Sequence, residues 1–215
     1  MFYDAIANNH GLPHDPFKAL VVPRPIGWIS SLAPSGEVNL APYSYFNAVG
    51  SDPHYVMFSS DGYKHSVSNI EATKEFVCNL ATWDLREQMN LTSAPVPAGI
   101  DEMRIAGLTP APSRLVRPPR VAETPVALEC IYTQTVELPS HDPSSPNVVV
   151  IGKVVGVHID DAFIRNGLVD SAAMKPIARC GYMDYAVVTE MFSMRRPSAV
   201  DAESLAAVSP KPVAG

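Results

Sequence analysis

The sequence predicts a mainly β protein, a β-barrel with a few short helices, on three observations. Twenty-one prolines among 215 residues are too many for a mostly helical chain, because a proline inside a helix removes a hydrogen bond and clashes with the preceding turn. They fall between short runs rich in Val, Ile, Tyr and Phe, residues that suit a pleated, half-buried surface. At 47% apolar residues the chain can fill a full-sized core without disulfide or metal staples. One domain over residues 1–197 is therefore expected, with a tail over 198–215 where the composition shifts to Ser, Ala, Val and Pro.

In chain order, strands are expected at 27–32, 38–46, 55–60, 75–81, 127–136, 148–158 and 185–194. Segments of this number and length can close a small barrel. The stretch Leu32-Ala-Pro-Ser-Gly-Glu-Val38 has the Pro, Ser and Gly of a tight connection, so its flanking strands should form a hairpin. A short helix is expected over 66–73 with Ser66 as N-cap. A second should follow Asp84, where Glu87 completes a capping-box pattern ahead of Leu85 and Met89 on one face. A third should open at Asp101 and end at Gly107. Residues 108–125 carry Pro110, Pro112, Pro118, Pro119 and Pro125 and read as an ordered surface crossing.

Charge and cysteine usage exclude several classes. A formal charge of -6 opposes a protein that holds nucleic acid along an extended surface, since such binding runs on clustered Lys and Arg. Cys78, Cys130 and Cys180 lie far apart in apolar surroundings, with neither a paired framework nor zinc spacing, and read as buried reduced thiols. The first 18 residues lack the basic start and apolar stretch of a signal peptide, and the longest apolar run, 148–157, is broken by Gly152, Lys153 and Gly156. A cytoplasmic protein without a membrane segment is expected. His10 and His14 are separated by Gly11 and Pro13, which spoil a helical metal pair. No Gly-x-Ser-x-Gly elbow and no Gly-x-Gly-x-x-Gly turn occurs, so those hydrolase and dinucleotide-fold chemistries lack support.

Two local patterns could carry chemistry. From Tyr55 to Thr73 a strand runs through Asp61-Gly-Tyr-Lys-His65 into a helix. Free N–H groups of the first helical turn, the Ser66 hydroxyl and the Lys64 charge could converge there on a phosphate, although a capped surface helix has the same pattern. The segment Asn39-Leu-Ala-Pro-Tyr-Ser-Tyr-Phe-Asn47 places a proline in a strand, the mark of an edge or bulge. Such a place leaves backbone groups free for the rim of a planar heterocycle, and it is also what an ordinary barrel strand with core aromatics would show.

Together with Pro23-Arg-Pro-Ile-Gly-Trp-Ile-Ser-Ser31, Lys64-His-Ser followed by Asn69-Ile-Glu, Glu75-Phe-Val-Cys-Asn-Leu80, and Pro176-Ile-Ala-Arg179 with Tyr185, these motifs resemble the flavin reductase-like family with the FMN-binding split-barrel fold. The likeness runs from about residue 17 to residue 197. It implies a homodimer with an FMN site near each subunit interface. Carried over by position, Trp28, Ile29, Ser30 and Ser31 resemble the strand lining the flavin, and Ala41, Pro42, Ser44, Tyr45, Phe46 and Asn47 the second wall. Lys64, His65 and Ser66 match the phosphate segment, where many relatives have Asp in place of His65. Arg179 and Tyr185 lie in a stretch that approaches the site in such proteins, with a structural ion pair as the other reading of Arg179. Relatives often carry Gly-Gly where this chain has Gly181-Tyr182.

The resemblance implies an oxidoreductase in which NADH or NADPH passes hydride to FMN, which then serves oxygen, a downstream oxygenase or another acceptor. No catalytic side chain is expected, because an organic cofactor that carries the chemistry needs the protein mainly for placement. The alternatives are a non-catalytic FMN carrier or redox module, and a flavoprotein reduced by a protein partner.

Overall fold

The computed structural model describes residues 1–142 and 144–194, so the expected 198–215 tail lies outside the described residues. Seven strands form one antiparallel sheet: β2 (Gly27–Leu32), β3 (Val38–Tyr43), β4 (Phe46–Ser51), β5 (His54–Asp61), β6 (Glu75–Leu80), β7 (Val126–Leu138) and β8 (Asn147–Ile159), in the order β3-β2-β6-β7-β8-β5-β4. The two edge strands, β3 and β4, are joined by Ser44 and Tyr45, and Ser59 N–H of β5 donates to the Tyr45 carbonyl at 2.8 Å, which carries the β4–β5 ladder into that join. The sheet thus rolls into a split barrel whose seam runs past Pro42. A smaller sheet sets β1 (Arg24–Pro25) beside β9 (Ile177–Gly181) and β10 (Asp184–Val187).

Period-two alternation puts neighbouring residues of β2 into different cores. Ile29 points into the barrel with Phe58, Phe76, Val148 and Val150, while Trp28 packs outside with Leu40, Met89, Met103 and Val121. Helix α2 (His65–Thr73) closes one barrel end by inserting Val67 and Ile70 into the inner core, a burial that stabilises by roughly 1.5–3 kcal/mol per side chain. Two strand glycines make room for aromatic rings. A Cβ on Gly152 would lie 2.3 Å from the Phe76 ring and one on Gly27 would lie 2.5 Å from that of Phe46, so neither position tolerates a side chain without repacking. Cys78 and Cys130 are buried in the inner core, where burial, reinforced by the neighbouring Cys130, pushes the Cys78 thiol well up. Cys180 is half-buried.

The hairpin at 32–38 forms with Leu32 opposite Val38, and Gly36 takes the positive φ of 101° that its turn requires. Asp101 caps helix α4 (Glu102–Ile105) by accepting from Arg104 N–H at 3.2 Å, and Gly107 ends it at φ 66°. The 108–125 crossing is ordered and holds one short ladder, Pro110–Ala111 with Arg120–Val121. Among the described residues no helix is long and apolar enough to cross a membrane.

Four expectations need correction. The strand expected over 38–46 stops at Tyr43, and β4 was missed because its exposed edge, Phe-Asn-Ala-Val-Gly-Ser, shows no apolar alternation. The strand expected over 185–194 is confined to β10 and belongs to the small sheet with β9, which was also missed. Ser66 does not cap α2: the N-cap is Lys64, extended and without a side-chain cap bond. The Asp84–Glu87 box does not form either. Helix α3 (Arg86–Leu91) starts after Leu85, a backbone turn takes up the Leu85 and Arg86 amides, and Asp84 leans toward Lys175 at 3.9 Å.

One buried polar cluster stands apart from these elements. Glu129 of β7 is fully buried and accepts from Arg114 N–H at 2.7 Å, Leu115 N–H at 2.6 Å and His158 Nε2 at 2.5 Å. Burial alone would raise its carboxyl, but those donors outweigh it and hold the group below the ordinary range. The cluster lines a cavity of about 320 Å³.

Candidate functional site

Two adjoining clefts follow the barrel seam. The first, about 330 Å³, lies between the outer end of β3, the start of α2 and the 92–96 turn, with Ala41, Lys64, His65, Ser66 and Glu102 on its walls. An α-helix leaves its first amides without intrahelical partners, and here no side chain caps them. Ser68 N–H is the first to bond back, to the Lys64 carbonyl at 3.1 Å. The amides of His65, Ser66 and Val67 therefore remain as donors, with the exposed Lys64 beside them. Ser66 forms the floor, its hydroxyl accepting from Asn39 Nδ2 at 2.9 Å. This donor set fits a phosphate monoester.

Glu102 is the acid in that cleft. Its Oε2 accepts from Leu40 N–H at 3.0 Å, which ties α4 to the edge strand. Burial pushes its carboxyl up, while the Leu40 N–H and the nearby His65 imidazole pull it partway back.

The second cleft, about 600 Å³, continues from Ser93 past Pro42, Ser44 and Tyr45 to Arg179 and Tyr185. Arg24 is buried beneath it, its Nη1 donating to the carbonyls of Lys18 at 2.5 Å and Val21 at 2.6 Å and its guanidinium lying 5.5 Å from the Tyr45 ring centroid. Arg179 lies 4.6 Å from the Tyr185 ring centroid and donates to the Tyr182 carbonyl. The β9–β10 turn is tight. A Cβ on Gly181, at φ 92°, would lie 2.7 Å from the Ala19 backbone of α1 (Phe17–Leu20), and Tyr182 follows in the left-handed region at φ 44°. That conformation explains why glycine suits both positions, and Tyr182 holds it at a cost of about 1–2 kcal/mol.

The sequence-derived candidates divide into three groups. Ala41, Lys64, His65 and Ser66 meet in the first cleft, and Pro42, Ser44, Tyr45 and Arg179 in the second. Trp28, Ile29, Ser30 and Ser31 are all 0% exposed and lie behind the edge strand. Trp28 Nε1 donates to Thr92 Oγ1 at 2.9 Å, Ser30 Oγ donates to the Pro119 carbonyl at 2.5 Å, and Ser31 Oγ accepts from Asn69 Nδ2 at 3.4 Å. These residues hold the wall from behind rather than presenting groups to the clefts. Phe46 packs on the inner core against Gly27, and Asn47 is exposed on β4 outside both clefts. Sequence reasoning missed Glu102, Ser93, Lys18 and Arg24 as lining residues. Of these only Arg24 lies in a motif that carries the family resemblance, and the others sit in stretches without a chemical pattern.

The flavin reductase like domain model matches residues 19–174. An uncharacterized protein of Aquifex aeolicus is 35% identical over 168 residues, 75% of this chain and 83% of its own. Among solved structures, nitrilotriacetate monooxygenase component B from Bacillus cereus superposes with a TM-score of 0.82 at 28% identity, covering 90% of this chain and 98% of that one. A split-barrel domain protein from Shewanella frigidimarina superposes at 0.77 over 93% of this chain and 100% of that one, and at 22% identity it speaks to the fold. With nearly three quarters of its length matched by the family model and the seam built as described, the chain belongs to the flavin reductase-like family of flavin-linked oxidoreductases.

Proposed function

We propose that this protein is an NAD(P)H-dependent flavin reductase that holds FMN along the barrel seam and supplies reducing equivalents to a separate oxygenase or another acceptor. The observation that carries this reading is the continuity of the two clefts: an uncapped helix start with Lys64 at one end, an apolar and aromatic edge strand between, and Arg179 at the other end. When bound, the flavin supplies a ring that accepts hydride and later gives up electrons.

The chain's own residues place and shield. Lys64, the His65 to Val67 amides and the Ser66 hydroxyl would hold the phosphate, which distinguishes FMN from riboflavin. Ala41, Pro42, Ser44 and Tyr45 would set the ring plane against the edge strand, where Glu102 already takes the Leu40 N–H and Pro42 has none, so this wall would meet the ring mainly by contact. Arg179 and Tyr185 stand at the mouth through which a second substrate must enter. Fixing two planar molecules in contact removes much of the entropic barrier of a bimolecular transfer, so no acid-base dyad is required.

The likeness to a monooxygenase component B supports a separate oxygenase as the acceptor. A cytoplasmic location belongs to the same reading, and so does a homodimer, because Ile131, Val136 and Leu138 of β7 are at least 38% exposed and leave apolar surface to be covered. Light scattering at micromolar concentration is expected to give twice the chain mass, and a monomer would remove that part.

Anaerobic mixing of the FMN-loaded protein with NADH or NADPH tests the central claim. Bleaching of the flavin's visible band by at least one donor is expected. No bleaching with either donor would leave a carrier, or a flavoprotein served by a protein partner.

A further inference from the structure

Past Arg179 the second cleft opens into a groove of about 440 Å³ between the start of α3 and the β9–β10 hairpin, and the two spaces share Met89, Asn90, Arg179, Met183 and Tyr185. Its floor is apolar, with Met89 and Ile177 buried. On either side an arginine lies over an aromatic ring: Arg86 is 4.1 Å from the Trp83 centroid and Arg179 is 4.6 Å from that of Tyr185. Both rings are open to solvent, Trp83 at 44% and Tyr185 at 42% exposure.

The arginines keep donors in reserve. Arg86 Nη1 donates to the Trp83 carbonyl at 2.8 Å and its Nε pairs with Glu87 at 3.4 Å, which leaves Nη2 uncommitted among the described residues. Arg179 uses one Nη2 hydrogen on the Tyr182 carbonyl and retains the others. Glu87 is the one acid on the groove wall, so two guanidinium groups outweigh one carboxylate. Planar faces, spare guanidinium donors and net positive charge together suit a phosphate ester that carries an aromatic base.

We infer that this groove seats the adenosine diphosphate half of a nicotinamide dinucleotide, with Arg179 meeting the pyrophosphate and the Arg86–Trp83 stack meeting the adenine. The inference rests on the reductase reading and extends it. The groove is contiguous with the Pro42–Tyr45 mouth and shares no lining residue with the Lys64 cleft, so a dinucleotide whose nicotinamide ring lay at that wall would find room for its other half there. Arg24, the other arginine near the mouth, is buried in the wall of the larger cleft, with Nη1 on two backbone carbonyls, and does not line the groove. Arg86 and Trp83 are then specificity residues for the donor and take no part in the transfer itself.

The test compares NADH with reduced nicotinamide mononucleotide, which lacks the adenylate half, as donors to the FMN-loaded protein without oxygen. Arg86→Ala is expected to raise the NADH concentration needed for half-maximal reduction about tenfold, the size of one hydrogen bond to a charged group, with the limiting rate and the response to the mononucleotide unchanged. Trp83→Leu, which keeps an apolar cover on the site, should give the same selective loss of NADH. If neither nicotinamide bleaches the unsubstituted protein, the reductase reading falls and takes this inference with it. If both donors bleach it but neither substitution separates them, the reductase reading stands and the groove assignment is wrong. Equal weakening toward both donors also overturns the assignment, because it places Arg86 at the nicotinamide half or in the fold alone.

Discussion

Two cavities of nearly the same size, about 330 Å³ at the start of α2 and about 320 Å³ beside Glu129, treat negative charge in opposite ways. Beside Glu129 the protein supplies its own carboxylate and satisfies it with two backbone amides and His158. At α2 it supplies the donors and leaves them unanswered. Volume does not distinguish the two. The balance of donors and acceptors does, because an internally satisfied cluster stabilises the fold and has little left for a ligand, whereas open amides beside a lysine favour an incoming anion.

The contrast breaks first at Glu129. Glu129→Ala strands two amides and the His158 ring, and should destabilise by about 3 kcal/mol in urea unfolding. A loss under about 0.5 kcal/mol, as for an ordinary surface change, would show that the cluster carries no stability. Lys64→Ala should do the reverse: unfolding is unchanged while FMN binding weakens about tenfold, the worth of one charge-assisted bond, and riboflavin binding stays the same. Fluorescence titration with both flavins reads this directly, and an equal loss for both would remove the phosphate from the α2 start.

Acid sharpens the comparison further. The Glu129 carboxyl is held below its ordinary value of 4.5, so its stabilising contribution is present above that value and is lost as the pH falls through the lower folded value. Unfolding free energy should therefore drop more steeply below about pH 4.5 in the unsubstituted protein than in Glu129→Gln. Parallel acid limbs would contradict the geometry. The smallest effect is expected at Tyr182, where replacement by glycine relieves the left-handed backbone and should gain up to about 1 kcal/mol of stability. A thermal shift in the other direction would mean that the T-shaped contact of Tyr182 with His14, at 5.9 Å between centroids, outweighs the strain.

The barrel was legible where strands alternate or run apolar: β2, β5, β6, β7 and β8 lie within two residues of the expected bounds. It was not legible at β4, an exposed edge held by backbone bonds to β5 rather than by apolar side chains. The site divides along the same line. Lys64, His65 and Ser66 could be found because a strand-loop-helix turn has a chemical meaning before folding. Glu102 could not, since it reaches the seam only through the packing of α4 on β3 and its bond to Leu40 N–H. Trp28 to Ser31 were recognisable as a motif, yet the motif does not say which face is open, and the 108–125 crossing covers the Ser30 side through Pro119.

The glycine contact between Gly181 and Ala19 ties the two ends of the described chain into one wall. Asp15 and Lys18 precede the matched family segment of 19–174, and Arg179, Tyr182 and Tyr185 follow it, yet all five border the larger cleft. Trimming the chain to the matched segment would keep the Lys64 cleft and strip this bank of the larger one. The bank opposite Pro42 and Tyr45 is thus set by residues that the family segment leaves out.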